Sequence, residues 1–307
     1  MTTRLAPSPS GDLHLGHARA FLAAWAAARQ AGGRVVLRIE DLDTPRVVPG
    51  AAERQMEDLA WLGLDWDGPV LRQSARADYY AEVLHRLAQG GHVFACYHSR
   101  QDVARAATAP HGADGVPPYP AALRPPHPFE AKALAAHPEA AIRFWVKPGT
   151  VTFADLLQGP QTQDVAADVG DFVLRRRDGL FAYQLAVVAD DAAQGVTHVV
   201  RGADLLPSTA RQIQLYTALD RPVPVFGHVG LVLNQAGQKL SKRDGAVSLV
   251  ALRQAGVQPQ VLIGWLAATL GLGTGQPCAP GQVAAHFGWQ AAAALPIVYE
   301  PTAVPWA

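Results

Sequence analysis

The apolar positions change their spacing from segment to segment, and each spacing predicts an element. Arg4 to Ala6 enters a Pro7-Ser8-Pro9-Ser10-Gly11 turn, and the stretch from about Leu15 to Gln30 has the composition of a stable helix. Gly32-Gly33 ends that helix, and Val35 to Ile39 is a short β-branched run of the kind buried in a parallel sheet. Strand, loop, helix and strand make a βαβ unit at the start of the chain. Glu53 to Leu62 and Asp78 to Ala88 read as amphipathic helices, with a turn over Asp65 to Pro69 between them. Both suit crossovers of an α/β fold.

Between about Thr108 and Pro128 seven prolines and two glycines break every period, which marks an insertion or a lobe boundary. Strand-like runs return at Ala141 to Val146 and Asp171 to Leu174. Val196 to Val200 then precedes a helix from about Ser208 to Leu219, and the parallel sheet is expected to resume over these segments. From Leu249 onward the chain reads as mainly helical, most apolar at Val261 to Leu270, and no internal repeat is present.

At 307 residues and 49% hydrophobic the chain can bury a substantial core in roughly two domains. No basic leader precedes an apolar core, and no stretch is long and apolar enough for a membrane span, so a cytoplasmic protein with no membrane partner is expected. Cys96 and Cys278 are far apart and read as reduced thiols. Basic and acidic side chains balance at 26 each, so any RNA contact is expected to be local rather than a coat of positive charge. Arg175-Arg176-Arg177 is read first as a solvated face.

Two motifs carry chemistry. His14-Leu15-Gly16-His17 sets two imidazoles three residues apart at a helix start, where backbone N–H groups favour anions; Gly11 and Gly16 are expected to let phosphates approach the backbone. Lys239-Leu240-Ser241-Lys242-Arg243 is a cationic loop of the kind that grips a triphosphate and neutralises charge on departing pyrophosphate. Each alone is weak evidence. Together, about 220 residues apart in an α/β chain, they resemble the twin signatures of class I aminoacyl-tRNA synthetases. Arg4-Leu5-Ala6-Pro7-Ser8-Pro9-Ser10-Gly11 and Arg38-Ile39-Glu40-Asp41-Leu42-Asp43-Thr44-Pro45-Arg46 narrow the resemblance to the glutamyl- and glutaminyl-tRNA synthetases. It extends over essentially the whole chain.

The resemblance implies a Rossmann-like parallel sheet with an inserted lobe and a mainly helical C-terminal region. The expected divisions are residues 1–93 and 171–222 for the two halves of the catalytic domain, 94–170 for the lobe, and 223–307 for the lysine loop and a stem-contact-like region. It implies activation of L-glutamate by ATP with Mg²⁺: the α-carboxylate attacks the α-phosphorus and pyrophosphate leaves. His14 and His17 are expected to stabilise the α-phosphate, and Lys239, Ser241 and Lys242 to hold the departing phosphates, with Gly11 and Gly16 also in the ATP site. Glutamate carries two carboxylates and an ammonium, so a specific pocket needs two cations and an anion. Arg4 is assigned to the side-chain carboxylate, Arg201 to the α-carboxylate and Glu40 to the ammonium. Ser8 and Tyr183 supply neutral hydrogen bonds, with Leu5, Ala6 and Pro7 completing the wall.

The chain ends 64 residues after Arg243, short of an anticodon-reading domain. This length resembles the truncated glutamyl-Q tRNA(Asp) synthetases, which implies a monomer that attaches glutamate to queuosine in tRNA(Asp). A small synthetase charging a tRNA 3′ end, or a non-catalytic RNA-binding paralogue, stays open. The family's lobe often holds zinc through Cys-x-Cys and Tyr-x-x-x-Cys. Here Cys96-Tyr97-His98 and Tyr119-Pro120-Ala121-Ala122-Leu123 leave only Cys96, His98 and Tyr119 in register, so no zinc is expected and proline-rich packing is expected to hold the lobe.

Overall fold

The computed structural model describes residues 1–106, 118–128, 134, 136–240, 248–302 and 304–306. Strand β1 (Thr2–Leu5) feeds helix α1 (Leu15–Gln30), which crosses over to β2 (Arg34–Ile39), parallel to β1 in the register Arg4 to Val36. Helix α2 (Ala51–Trp61) leads to β3 (Leu71–Arg72), parallel to β2, and α3 (Ala77–Gln89) follows. The opening βαβ unit therefore stands as read from its spacing.

The lobe departs from that reading. Strand β4 (Val93–Cys96) leads to α4 (Arg100–Ala106), and β5 (Ala141–Phe144) pairs antiparallel with β4. A hairpin of β6 (Thr150–Asp155) and β7 (Gly159–Asp164) then leads through the short α5 (Val165–Asp168) to β8 (Val173–Arg175). Strand β8 returns to β5, so β4, β5 and β8 form a separate antiparallel sheet. The runs at Ala141 to Val146 and Asp171 to Leu174 thus belong to this sheet and do not resume the parallel one. Short apolar runs look alike in the two kinds of sheet until their partners are known.

The parallel sheet resumes after α6 (Tyr183–Ala193) with β9 (His198–Gly202), continues through α7 (Thr209–Ala218) to β10 (Val225–Val229), and meets the hairpin at one Phe226 to Asp155 pair. Beside β1, the Thr197 N–H donates to the Thr2 carbonyl at 3.0 Å and the Thr2 N–H donates to Thr197 Oγ1 at 2.9 Å, which joins the two halves. Strand β11 (Val232–Leu233) opens the C-terminal region, followed by α8 (Leu249–Gln254), α9 (Pro259–Thr269), α10 (Pro280–Ala285) and α11 (Ala291–Ala294). The mainly helical reading holds apart from β12 (Ile297–Val298), which comes back to pair with β11.

Strand alternation sorts the side chains into two layers. Leu5, Val35, Leu37 and Val200 pack with α1, α9 and α10 in one core. Val36, Val199 and Phe226 pack with α3, α6 and α7 in the other. Arg19 of α1, fully buried, ties the first layer together by donating to the carbonyls of Gly230 and Thr269. Burial lowers its pKa to about 10.

Asp58 of α2 is buried with neither carboxylate oxygen hydrogen-bonded, and its near cation is Arg253 of α8 at 3.4 Å. Burial pushes its pKa up to about 6. The folded state therefore holds this proton more tightly than the unfolded chain. The stability so contributed is complete below about pH 4 and is lost as pH rises through 6. Asp58→Asn should gain stability relative to the parent as pH rises through that window. Urea unfolding of both proteins at each end of it checks this, and a stability difference that does not change with pH would refute it.

Candidate active site

A cavity of about 500 Å³ opens at the carboxyl ends of β1, β2 and β9, on the side where the chain leaves each strand for its helix. Connections run in opposite directions from β1 and β9, and a ligand crevice is expected at such a switch point in an open α/β sheet. Arg4, Glu40 and Arg201 reach its wall from the ends of the three strands, Tyr183 from the first turn of α6, and His14, Gly16 and His17 from the start of α1. Ala6, Pro7 and Ser8 line it from the loop after β1, and Lys239 from beyond β11. Of the candidates among the described residues, Leu5 and Gly11 stand off the wall. Leu5 alternates away from Arg4 into the α1 core, and the Gly11 carbonyl accepts from Gln55 Nε2 at 2.6 Å. Ser241 and Lys242 lie outside the described residues.

His14 is the N-cap of α1, not a residue of its first turn. Its backbone is extended and its Nδ1 accepts from the Gly16 N–H at 3.1 Å. His17 reciprocates, with Nδ1 accepting from the His14 N–H at 3.2 Å. The two rings lie 3.8 Å apart between centroids. An imidazole whose Nδ1 accepts is neutral and carries its proton on Nε2, so each ring is set to donate through Nε2. Gly16 lines the cavity and also makes room for the cap, since a Cβ there would come within 3.0 Å of the His14 ring. The far end of the lysine segment is tied to the same place, since Ser248 bridges His14 and the Leu249 N–H donates to the Leu13 carbonyl at 2.9 Å. At its near end Lys239 Nζ donates to Asp204 Oδ2 at 2.5 Å.

Beneath the cavity floor lies a network of buried charge. Arg38, fully buried, donates to Asp191 Oδ1 at 2.7 Å and to Glu40 Oε1 at 3.2 Å. Arg4 Nε lies 3.4 Å from the same Asp191 oxygen, and Arg4 Nη1 donates to the Val200 carbonyl at 3.0 Å. Burial works against the charge of Asp191, but Arg38 and Arg4 outweigh it and hold the carboxyl below its usual range. Burial raises the pKa of Glu40, and Arg38 and Arg4 offset this only in part. Tyr183 is likewise raised by burial, which keeps its hydroxyl a donor.

Arg201 differs from Arg4 and Arg38. Nε donates to His228 Nε2 at 3.0 Å, Nη2 donates to Thr209 Oγ1 at 3.0 Å, and buried Nη1 has no hydrogen-bond partner. No carboxylate pairs with it among the described residues, and burial lowers its pKa. The cavity wall thus carries at Arg201 a buried guanidinium with no carboxylate partner among the described residues and at Glu40 a carboxylate with a raised pKa.

Arg38, Asp191, Asp155 and His228 were given no role from sequence alone. Asp190-Asp191 within the apolar helix Leu185 to Ala193 was the available signal, because buried acids in such a helix demand partners. Of the three zinc candidates, two meet. Cys96 Sγ lies 3.4 Å from the Tyr119 hydroxyl inside the lobe, whereas His98 is exposed and only its carbonyl approaches the sulfur. Among the described residues no three His, Cys, Asp or Glu side chains gather as a metal site. The described part of the lobe is braced by Arg143 over the Tyr119 ring, Arg124 over the Trp145 ring, and an Arg124–Asp171 ion pair.

The family model for the catalytic domain of class I tRNA synthetases (E and Q) matches residues 1–275. A glutamyl-Q tRNA(Asp) synthetase of Geobacter sulfurreducens is 49% identical over 99% of this chain and 93% of its own length. The chain belongs to the glutamyl-Q tRNA(Asp) synthetase family of class I synthetases. A member from Nocardia farcinica is 49% identical over 92% of this chain and 88% of its own. A solved glutamate-tRNA synthetase from Elizabethkingia anophelis superposes with a TM-score of 0.82 at 26% identity, covering all of this chain and 69% of the other. The class I Rossmann-like α/β fold is common to them. Among the described residues no helix is long and apolar enough to cross a membrane.

Proposed function

We propose that this protein activates L-glutamate with ATP and transfers the glutamyl group to queuosine in the anticodon loop of tRNA(Asp). The observation that carries the first step is the pair of opposed poles in one cavity: Arg201, buried and without a carboxylate partner among the described residues, and Glu40 with its raised pKa. A buried unpaired cation is costly, and a carboxylate ligand relieves that cost. Arg201 takes the α-carboxylate, Arg4 the side-chain carboxylate and Glu40 the ammonium, with Tyr183 and Ser8 donating hydrogen bonds.

In the reaction the α-carboxylate oxygen attacks the α-phosphorus of ATP, and the bond to the β-phosphate bridging oxygen breaks to release pyrophosphate. Mg²⁺ enters with ATP as part of the substrate. The Nε2–H groups of His14 and His17 donate to the α-phosphate oxygens as their charge grows, and Lys239 and Lys242 hold the leaving phosphates. A hydroxyl of the queuosine cyclopentene diol then attacks the mixed anhydride, and AMP leaves. The names of the relatives support this acceptor, and an unstacked loop base can be read through its edges and hydroxyls.

Glutamate-dependent ATP–pyrophosphate exchange is expected without tRNA, with aspartate a poor substrate because its carboxylate falls one methylene short. Queuosine-bearing tRNA(Asp) should accept glutamate, and the same tRNA without queuosine or after periodate oxidation of the diol should not. Removing the 3′-terminal adenosine should leave acceptance intact. Glutamate lost on trimming and kept without queuosine would make the protein a small conventional synthetase instead.

A further inference from the structure

We propose that Asp155 and His228 act together as a positioning pair that presents Arg201 to the amino acid, through a single enforced tautomer of the His228 ring. The inference rests on the reading above, in which Arg201 binds a carboxylate of glutamate.

Asp155 closes β6 at the mouth of the β6–β7 hairpin and His228 lies on β10, both fully or nearly buried. Asp155 Oδ1 accepts three backbone N–H groups: Leu157 at 3.0 Å, Gln158 at 2.9 Å and His228 at 3.0 Å. That leaves Oδ2 facing His228 Nδ1 at 2.5 Å. On the other edge of the ring Nε2 lies 3.0 Å from Arg201 Nε, which can only donate. Nε2 must therefore accept, the ring proton must sit on Nδ1, and an acceptor is required at Asp155 Oδ2. Thr209 Oγ1, which accepts from Arg201 Nη2, also lies 3.3 Å from Nε2, and its hydroxyl can donate there. With Nε2 accepting, each atom in the row Asp155, His228, Arg201 has one role.

The electrostatics agree with the geometry. Burial lowers the His228 pKa and the neighbouring Arg201 adds to this, so the ring stays neutral despite Asp155. Burial opposes the charge of Asp155, but the bonds from His228 and the Gln158 N–H outweigh it and hold the carboxyl below its usual range. The carboxylate therefore persists as the acceptor. With Nε held by His228 and Nη2 by Thr209 Oγ1 and the Leu205 carbonyl, the guanidinium plane is fixed and Nη1 is left for the ligand. A planar fork locked in this way loses little freedom on binding a carboxylate.

Asp155→Asn tests the device because it changes almost nothing but the tautomer. The three backbone donors keep the amide oxygen at the Oδ1 position, which turns the amide N–H₂ toward His228 Nδ1. The ring must then accept at Nδ1 and carry its proton on Nε2, where it meets the Arg201 N–H donor head on. His228→Gln is the companion variant, because its side-chain oxygen can reach the Nε2 position and accept from Arg201.

Calorimetric glutamate and ATP affinities, together with ¹⁵N shifts of the His228 ring, would be measured on the whole chain. Asp155→Asn should weaken glutamate binding by roughly tenfold or more, leave ATP affinity within about twofold, and move the ring proton from Nδ1 to Nε2. His228→Gln should keep glutamate affinity within about threefold of the parent, whereas His228→Phe, which keeps the ring but has no acceptor, should lose it like Asp155→Asn. Equal loss of glutamate and ATP affinity in Asp155→Asn would mean a merely structural role and would overturn the proposal. So would full glutamate affinity in Asp155→Asn while the parent binds normally. A parent that binds no glutamate would overturn the pocket assignment itself, and this inference with it.

Discussion

His14→Asn should leave the protein folded and slow formation of the adenylate by roughly 10²- to 10³-fold, the usual cost of losing a preorganised donor at a site of growing charge. His14 does two things at once: its Nδ1 caps α1 at the Gly16 N–H, and its ring lines the cavity. Asparagine is among the best N-cap residues, so the variant keeps the first task and loses the second. His14→Ala loses both, and should add a destabilisation of about 1 kcal/mol from the missing cap. Single-turnover pyrophosphate release and thermal melting on the two variants separate the contributions. A wild-type rate in a stable His14→Asn protein would remove the ring from the transition state.

Arg201→Ala should act on the other half of the reaction. Its guanidinium is buried and held on two nitrogens, and its Nη1 has no hydrogen-bond partner, which leaves that N–H for the proposed carboxylate. Truncating one partner of a buried charged pair typically costs about 2–5 kcal/mol, which is a loss of glutamate affinity of roughly 30-fold or more. The rate at saturating glutamate should fall much less, because the interaction exists before the transition state as well as in it. Glutamate titrations and single-turnover rates decide this. If the rate falls with affinity unchanged, Arg201 acts on the phosphates rather than on the amino acid.

How much of this site could be read in advance depends on the kind of contact. The helix from Leu15 to Gln30 has the bounds its spacing gave, because local propensity, the Gly32-Gly33 stop and the preceding turn all agree. Arg4, Glu40, Tyr183 and Arg201 could be named because the ligand's own charges demand two cations and an anion, and motif matches supplied the positions. The convergence of Arg4, Glu40 and Arg201 on one cavity follows from three parallel strands ending on the same edge, and Tyr183 joins them from the first turn of α6. Leu5 was included in the motif, yet the two-residue period of a strand turns it to the opposite layer from Arg4.

The sequence by itself determined the α/β class and the opening βαβ unit, which rest on local periodicity, while the resemblance of its motifs to a known family supplied the candidate site residues. Tertiary structure alone decided which sheet received Ala141 to Phe144 and Val173 to Arg175, because antiparallel and parallel runs are equally apolar until they pair. It also decided that the histidines cap their own helix and that Asp191 joins Arg4 to Arg38. The Asp155, His228 and Arg201 row likewise comes from three separate strands. Each of those contacts joins residues whose distance along the chain says nothing of their distance in space. A buried polar side chain declares that it needs a partner, and only the packed fold says which one it has.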